Sequence, residues 1–181
     1  MKLDWNKLIK KKRTSDYIIY SAVILLGVLI DQLTKWLAVT YLAPVVDVPL
    51  WNGVLHLHFH LNDGAAFGSF SGKPYIFNTI SVIIIVALMI YLYFGHAETS
   101  LSGIAAAMIA SGGIGNMIDR VATGEVVDFI YFKLIDFAIF NGADSFVCIG
   151  AGLLILSMIV DIINESKRTR VKKSDNGEGE K

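Results

Sequence analysis

Residues 75–94 run for 20 positions without a charged side chain. A helix rises about 1.5 Å per residue, so about 20 apolar residues cover the hydrocarbon core of a bilayer. Backbone polar groups in lipid must be satisfied within the segment, which makes such a run a helix. Three further stretches have similar character: about Tyr17 to Thr40, Leu101 to Ile118 and Ala143 to Ile163. Of all 181 residues, 54% are hydrophobic and 18% charged, against about 25% charged in a typical soluble domain. The expected fold is a mainly α membrane protein, a four-transmembrane-helix bundle forming one compact domain.

The zero net charge hides a segregated distribution. Lys2, Lys7, Lys10, Lys11, Lys12 and Arg13 crowd one end, and Lys167, Arg168, Arg170, Lys172, Lys173 and Lys181 the other. Basic residues flanking apolar spans mark the cytoplasmic side, so both termini are expected there and the span number is even. Beside apolar runs they read as topology signals and contacts to anionic lipid, not as a nucleic-acid surface. The first span carries Asp31 and Lys35 and continues to about Ala43 without a small-residue cleavage site, so it reads as a retained span and not a secretory leader. Residues 1–16 form a basic cytoplasmic segment, 17–163 the bundle, and 164–181 a charged cytoplasmic tail expected to be disordered.

Connections at 43–73 and 120–141 fall on the outer side. From Val45 to Leu61 the pattern alternates, with His56, His58 and His60 on one face and Leu55, Leu57, Phe59 and Leu61 on the other. This period-2 signature predicts a small extracytoplasmic β-sheet, with more strand between Glu125 and Phe140. Three same-face histidines on one strand converge poorly on a tetrahedral ion, so no metal site is expected. Cys148, the sole cysteine, lies in an apolar run and reads as a buried packing residue. Gly112-Gly113-Ile114-Gly115 lacks the flanking strand and the Gly-Lys-Ser/Thr of a phosphate loop, and reads as close helix packing.

In the four-span arrangement Asp31, Lys35, Asn62, Asn116, Asp119, Arg120, Asp128, Asn141 and Asp144 gather at one level, at the outer ends of the spans. Asp31 and Lys35, four apart, are expected to pair on one helix face, and Asp119 with Arg120 to brace a helix end. Two carboxylates forced together resist ionising at once, so Asp128 and Asp144 suit paired acid/base chemistry on a water; the plainer alternative is that each caps or anchors a loop. Thr34 and Ser111 lack an oriented base and make poor nucleophiles. Two rivals predict something else. An ion-coupled transporter would set carboxylates near mid-span, usually in repeated halves, and a non-catalytic scaffold would use the small-residue helix as its assembly surface.

Five ordered motifs carry a resemblance: Asp31-Gln-Leu-Thr-Lys35, Asn62-Asp-Gly-Ala-Ala-Phe-Gly68, Gly112-Gly-Ile-Gly-Asn-Met-Ile-Asp-Arg120, Val126-Val-Asp128-Phe129 and Phe140-Asn-Gly-Ala-Asp144. The chain resembles the lipoprotein signal peptidases, or type II signal peptidases. The resemblance implies four membrane helices with a β-cradle, and an aspartyl dyad at Asp128 and Asp144. That dyad would remove the signal peptide of a prolipoprotein just before its diacylglyceryl-cysteine, with no metal or other cofactor. It further implies that Asn62, Asn116, Arg120 and Asn141 bind substrate or globomycin-type inhibitors and that Asp31 and Lys35 serve structural integrity or activity, while Asp119 is assigned to support by its own place at the helix end. The implied setting is the bacterial cytoplasmic (inner) membrane, with the active site at the outer leaflet, membrane lipids as neighbours and no requirement for an oligomer.

Overall fold

The structure, a computed structural model, describes residues 14–64, 74–94 and 100–177. The expectations for the basic N-terminal segment, for Ala65 to Lys73 and for the link at 95–99 fall outside those residues. Four apolar helices form the bundle: α1, Thr14–Leu37; α2, Pro74–Tyr93; α3, Ser100–Ala122; and α4, Gly142–Gly177. Three stretches, Thr14–Leu42 (α1 with the turn that follows it), Leu101–Ala122 and Gly142–Lys167, are long and apolar enough to cross a membrane, and the described apolar part of α2 is shorter.

Helix α3 is the hub, packing against α1, α2 and α4. Its small residues are the reason. Ala105, Ala106, Ala107 and Ala110 are fully or almost fully buried, with Tyr20 and Leu92 closing the same core. A Cβ at Gly112 would run into the Ala143 carbonyl of α4, and one at Gly115 would lie 2.5 Å from Asp31 Oδ2 of α1. With no hydrophobic driving force between helices in lipid, this close backbone approach is what gains dispersion energy. The reverse faces are apolar and exposed, including Leu25, Ile83 and Ile155, as a lipid-facing surface requires.

On α1 the buried positions are Tyr20, Gly27, Asp31 and Lys35. Their spacing of seven, four and four residues is one helical stripe, so the ionisable side chains deep in this span face protein. The helix ends in a π-turn, Ala38–Leu42. Trp36 and Tyr41 meet edge to face there at 6.4 Å, the aromatic pairing typical of a membrane–water boundary.

Strands β1 (Asp47–Trp51), β2 (Leu55–Asn62) and β3 (Val126–Tyr131) form an antiparallel sheet in that order. The single alternating run expected over Val45 to Leu61 is a hairpin, because Asn52-Gly53 turns the chain: Gly53 has φ 73° and the Val54 amide donates to Trp51 O at 2.9 Å. Of the partly strand-like stretch expected from Glu125 to Phe140, the strand covers Val126–Tyr131. A 3₁₀ turn at Lys133–Ile135 follows, and the chain returns to pair Phe140 with Ile130.

Two other expectations differ from the structure. Helix α4 continues to Gly177, so the tail over 164–177 is helical; an existing helix propagates into polar residues at low cost once nucleated. Cys148 is exposed and not buried. It lies on the side of α4 that lines the cavity described below.

Candidate active site

Asp144 is positioned by the start of its own helix. Asn141 is the N-cap of α4, and its side-chain Oδ1 accepts the Asp144 N–H at 3.0 Å, while Asp144 Oδ2 accepts the Asn141 N–H at 3.1 Å. This reciprocal capping box satisfies two backbone donors that a helix start leaves unpaired. A third, the Ala143 N–H, donates to Asp31 Oδ1 at 2.8 Å. The Asp31 carboxylate thus ties α1 to the first turn of α4.

Asp128 comes from β3 and is 1% exposed. Its two oxygens accept separate hydrogen bonds, from Asn62 Nδ2 on β2 at 2.8 Å and from Asn141 Nδ2 at 2.7 Å. The orientation of the Asn141 amide follows from its partners, since the oxygen faces a backbone N–H and leaves the nitrogen to face Asp128. One residue therefore holds both carboxylates.

Behind them lies a buried charge cluster. Lys35 Nζ sits 2.9 Å from Asp31 Oδ2 and 2.9 Å from Asp119 Oδ2, and donates to Asn116 Oδ1 at 2.8 Å. Asn116 Oδ1 also accepts from Asn141 Nδ2 at 3.0 Å, so the Asn116 amide nitrogen faces the other way and donates to Asp144 Oδ1 at 2.8 Å. Lys35 is 3% exposed and Asp31 fully buried. Charges this deep persist only when paired and hydrogen-bonded. The ammonium with two carboxylates, closed by Gln32 donating to Asp119 Oδ1 at 2.9 Å, meets that condition.

Burial drives the Asp128 carboxyl up from 3.8 to about 6; the hydrogen bond from Asn62 opposes the rise, and the nearby Asp144 carboxylate adds to it. The Arg120 guanidinium lies in electrostatic range of Asp144, Asp128 and Asp119, with long contacts to Asn116 O at 3.5 Å and Gly64 O at 3.4 Å. The two aspartates open onto a cavity of about 840 Å³ whose polar head carries Asn62, Asn116 and Arg120, and whose remaining walls include Ile84, Ile85, Ile109 and Val147. A small polar end on a long apolar groove fits a ligand that is mostly hydrocarbon.

The residues singled out in the sequence are thus brought together. Asp128, Asp144, Asn62, Asn116 and Asn141 form one hydrogen-bonded chain, Arg120 lines the cavity beside them, and Asp31, Lys35 and Asp119 stand behind. Asp31 pairs with Lys35 as its helical spacing requires. The Asp119 carboxylate meets Lys35, Gln32 and, at 3.3 Å, the Val127 N–H, so it braces α1 and β3 as well as lying within electrostatic range of its neighbour Arg120. Gln32 is the residue that sequence reasoning passed over; its signal was a polar amide in an apolar span, adjacent to Asp31. Two of the three strand histidines share one partner. His56 and His58 both turn Nδ1 to Asp47 of the adjacent strand, at 2.9 and 3.1 Å, and His60 pairs in register with Asp128.

Residues 23–160 match the peptidase A8 family, described as signal peptidase (SPase) II. The chain is similar to the lipoprotein signal peptidase of Halalkalibacterium halodurans, with 42% identity over 146 residues, or 80% of this chain and 94% of that one. With the lipoprotein signal peptidase of Caldanaerobacter subterraneus subsp. tengcongensis it shares 46% over 132 residues, 73% of this chain and 90% of that one. A solved structure described as a bacterial membrane enzyme superposes with a TM-score of 0.70 at 35% identity, covering 80% of this chain and 90% of that chain. The matched stretch takes in every residue of the carboxylate network and most of the bundle, and this multi-pass membrane protein belongs to the signal peptidase (SPase) II family of peptidases.

Proposed function

We propose that the protein is an intramembrane aspartic endopeptidase that removes signal peptides from prolipoproteins, cutting immediately before the diacylglyceryl-modified cysteine. One observation carries this reading: Asn141 holds Asp128 by its side chain and Asp144 by its backbone, at the polar head of an apolar cavity. Paired carboxylates in a desolvated site share a proton. The ionised member takes a proton from water, whose oxygen attacks the carbonyl carbon preceding the cysteine. The protonated member gives its proton to the cysteine nitrogen as the C–N bond breaks, leaving a carboxylate on the signal peptide and a free amine on the lipoprotein. This sequence of proton transfers uses no metal or cofactor.

The reading places Asn62, Asn116, Arg120 and Asn141 around the substrate or a globomycin-type inhibitor, and assigns Asp31, Lys35 and Asp119 to support. It sets the chain in the bacterial cytoplasmic membrane with both termini cytoplasmic and the sheet outside. A lipidated cysteine stays in the bilayer, so its scissile bond arrives at the outer leaflet, at the level of the two aspartates. The catalytic unit is a single chain. Asp128→Asn and Asp144→Asn, each checked for folding by thermal unfolding in detergent, are expected to lose cleavage of a synthetic diacylglyceryl peptide by at least about a thousandfold. Full cleavage by either folded variant would sink the dyad.

A further inference from the structure

Between the 3₁₀ turn and α4 the chain comes back alongside β3. Phe140 pairs there with Ile130, donating its N–H to Ile130 O at 3.0 Å and accepting the Ile130 N–H at 2.8 Å, while β2 pairs with β3 on the other side. The returning segment is therefore the edge of the sheet. One step before Phe140 the pairing stops: among the described residues, neither the N–H nor the C=O of Ala138 or Ile139 has a hydrogen-bond partner. A row of unpaired backbone groups at a sheet edge is a template for another extended chain. Ala138, Ile139 and Phe140 line the same cavity as Asp128 and Asp144. Two residues of extended chain, about 7 Å, separate Ile139 from Asn141, which holds both carboxylates.

Backbone groups bordering an apolar cavity need new partners once a ligand displaces water from it. A peptide has the matching chemistry, because its extended backbone presents both N–H and C=O along one edge; acyl chains carry neither, and glyceryl esters only accept. Phe140 turns both of its backbone groups to β3, and successive residues of an extended chain turn theirs to opposite sides, which sets those of Ile139 for the far side. We infer that Ile139 pairs with the substrate backbone flanking the scissile bond, so that the peptide adds a strand to this edge while the acyl chains take the apolar walls. This rests on the peptidase reading above and names the main-chain contact that positions the peptide before the dyad.

Ile139→Pro removes the N–H, and proline is tolerated where an edge N–H has no ladder partner; Ile139→Ala keeps the N–H and shortens the side chain. With a diacylglyceryl peptide, Ile139→Pro is expected to raise KM about tenfold and to unfold at the wild-type temperature, with Ile139→Ala close to wild type in both. When the amides flanking the scissile one are replaced in turn by esters, one replacement should weaken wild type and Ile139→Ala alike and leave Ile139→Pro unaffected. Hydrogen exchange at the Ile139 amide should also slow when Asp128→Asn protein is saturated with the peptide, a readout that needs no proline variant. An unchanged KM in folded Ile139→Pro, a KM rise shared by Ile139→Ala, ester effects equal in Ile139→Pro and wild type, or unslowed exchange at Ile139 overturns the inference while leaving the dyad standing. Where Ile139→Pro fails to fold, the exchange measurement and the wild-type ester scan decide, and a flat scan overturns it. Wild-type protein that leaves every diacylglyceryl peptide intact removes the peptidase reading itself, and this inference with it.

Discussion

Asn141 and Asp144 cap one another: each accepts, through its side chain, the backbone N–H of the other. The amide nitrogen left over on Asn141 reaches Asp128 at 2.7 Å. Helix initiation and carboxylate placement are therefore one structural event, and they can be separated by substitution. Serine caps a helix about as well as asparagine but is too short to bridge to Asp128. Asn141→Ser keeps the cap but leaves the buried Asp128 Oδ1 without its donor, so it is expected to lose about 1–3 kcal/mol in stability and at least about tenfold in kcat. Asn141→Ala should lose the same activity and about 1 kcal/mol besides. Thermal unfolding and peptide cleavage on the same detergent preparations separate the two effects.

Lys35 compensates two buried carboxylates, so its loss leaves like charges facing each other where water is scarce. Removing one partner of a buried ion pair costs about 3–5 kcal/mol, and Lys35→Met should therefore unfold at a clearly lower temperature and express poorly. Lys35→Met combined with Asp119→Asn leaves one unpaired buried carboxylate, Asp31, in place of two, so partial recovery of the unfolding temperature is expected. A single Lys35→Met variant as stable as wild type would mean that the cluster contributes nothing to the fold.

Burial lifts Asp128 to about 6 with the neighbouring Asp144 carboxylate adding to the rise, so loss of this proton is loss of the last one shared by the pair. Activity as kcat/KM, which reports the empty enzyme, should fall as pH rises through about 6. An apolar substrate desolvates the carboxyls further, which disfavours the ionised form, so the same limb in kcat should lie at higher pH. Asn62 donates to the ionised Asp128 and holds its pKa down. Asn62→Leu should accordingly move the kcat/KM limb to higher pH, and a limb displaced to lower pH would contradict the role given to this hydrogen bond.

Much of this architecture was legible in the sequence, and the parts that were not have identifiable causes. Apolar length announced the helices, and the small residues of α3 announced its central position because only they permit the backbone approach seen at Gly112 and Gly115. Asp31 and Lys35 were readable as a pair from helical spacing alone. The partnership of Asp119 with Lys35 was not, because it depends on how α1 docks on α3, and a neighbour in sequence such as Arg120 is a poor guide to a neighbour in space. The spacing Asn141-Gly-Ala-Asp144 left capping and acid/base roles as alternatives for Asp144, and the structure shows the cap through the reciprocal Asn141–Asp144 bonds. Cys148 was misread because an apolar run in lipid has an exposed side as apolar as its buried one.

The proposed orientation rests on the basic residues at the two ends and has a direct test. Asn52, exposed at the tip of the β1–β2 hairpin, accepts substitution without the positive φ that burdens Gly53. Cys148 is exposed on α4 and must first be replaced, so the background is Cys148→Ser. In intact cells a membrane-impermeant maleimide should label Asn52→Cys in this background without permeabilisation. A cysteine placed at Ser166, on the polar extension of α4, should be labelled only after the membrane is opened. The two positions lie at opposite ends of the bundle, so they report opposite faces. Labelling of Ser166→Cys in intact cells, with residue 52 protected, would invert the protein and remove the outer-leaflet setting on which delivery of a lipidated cysteine to Asp128 and Asp144 depends.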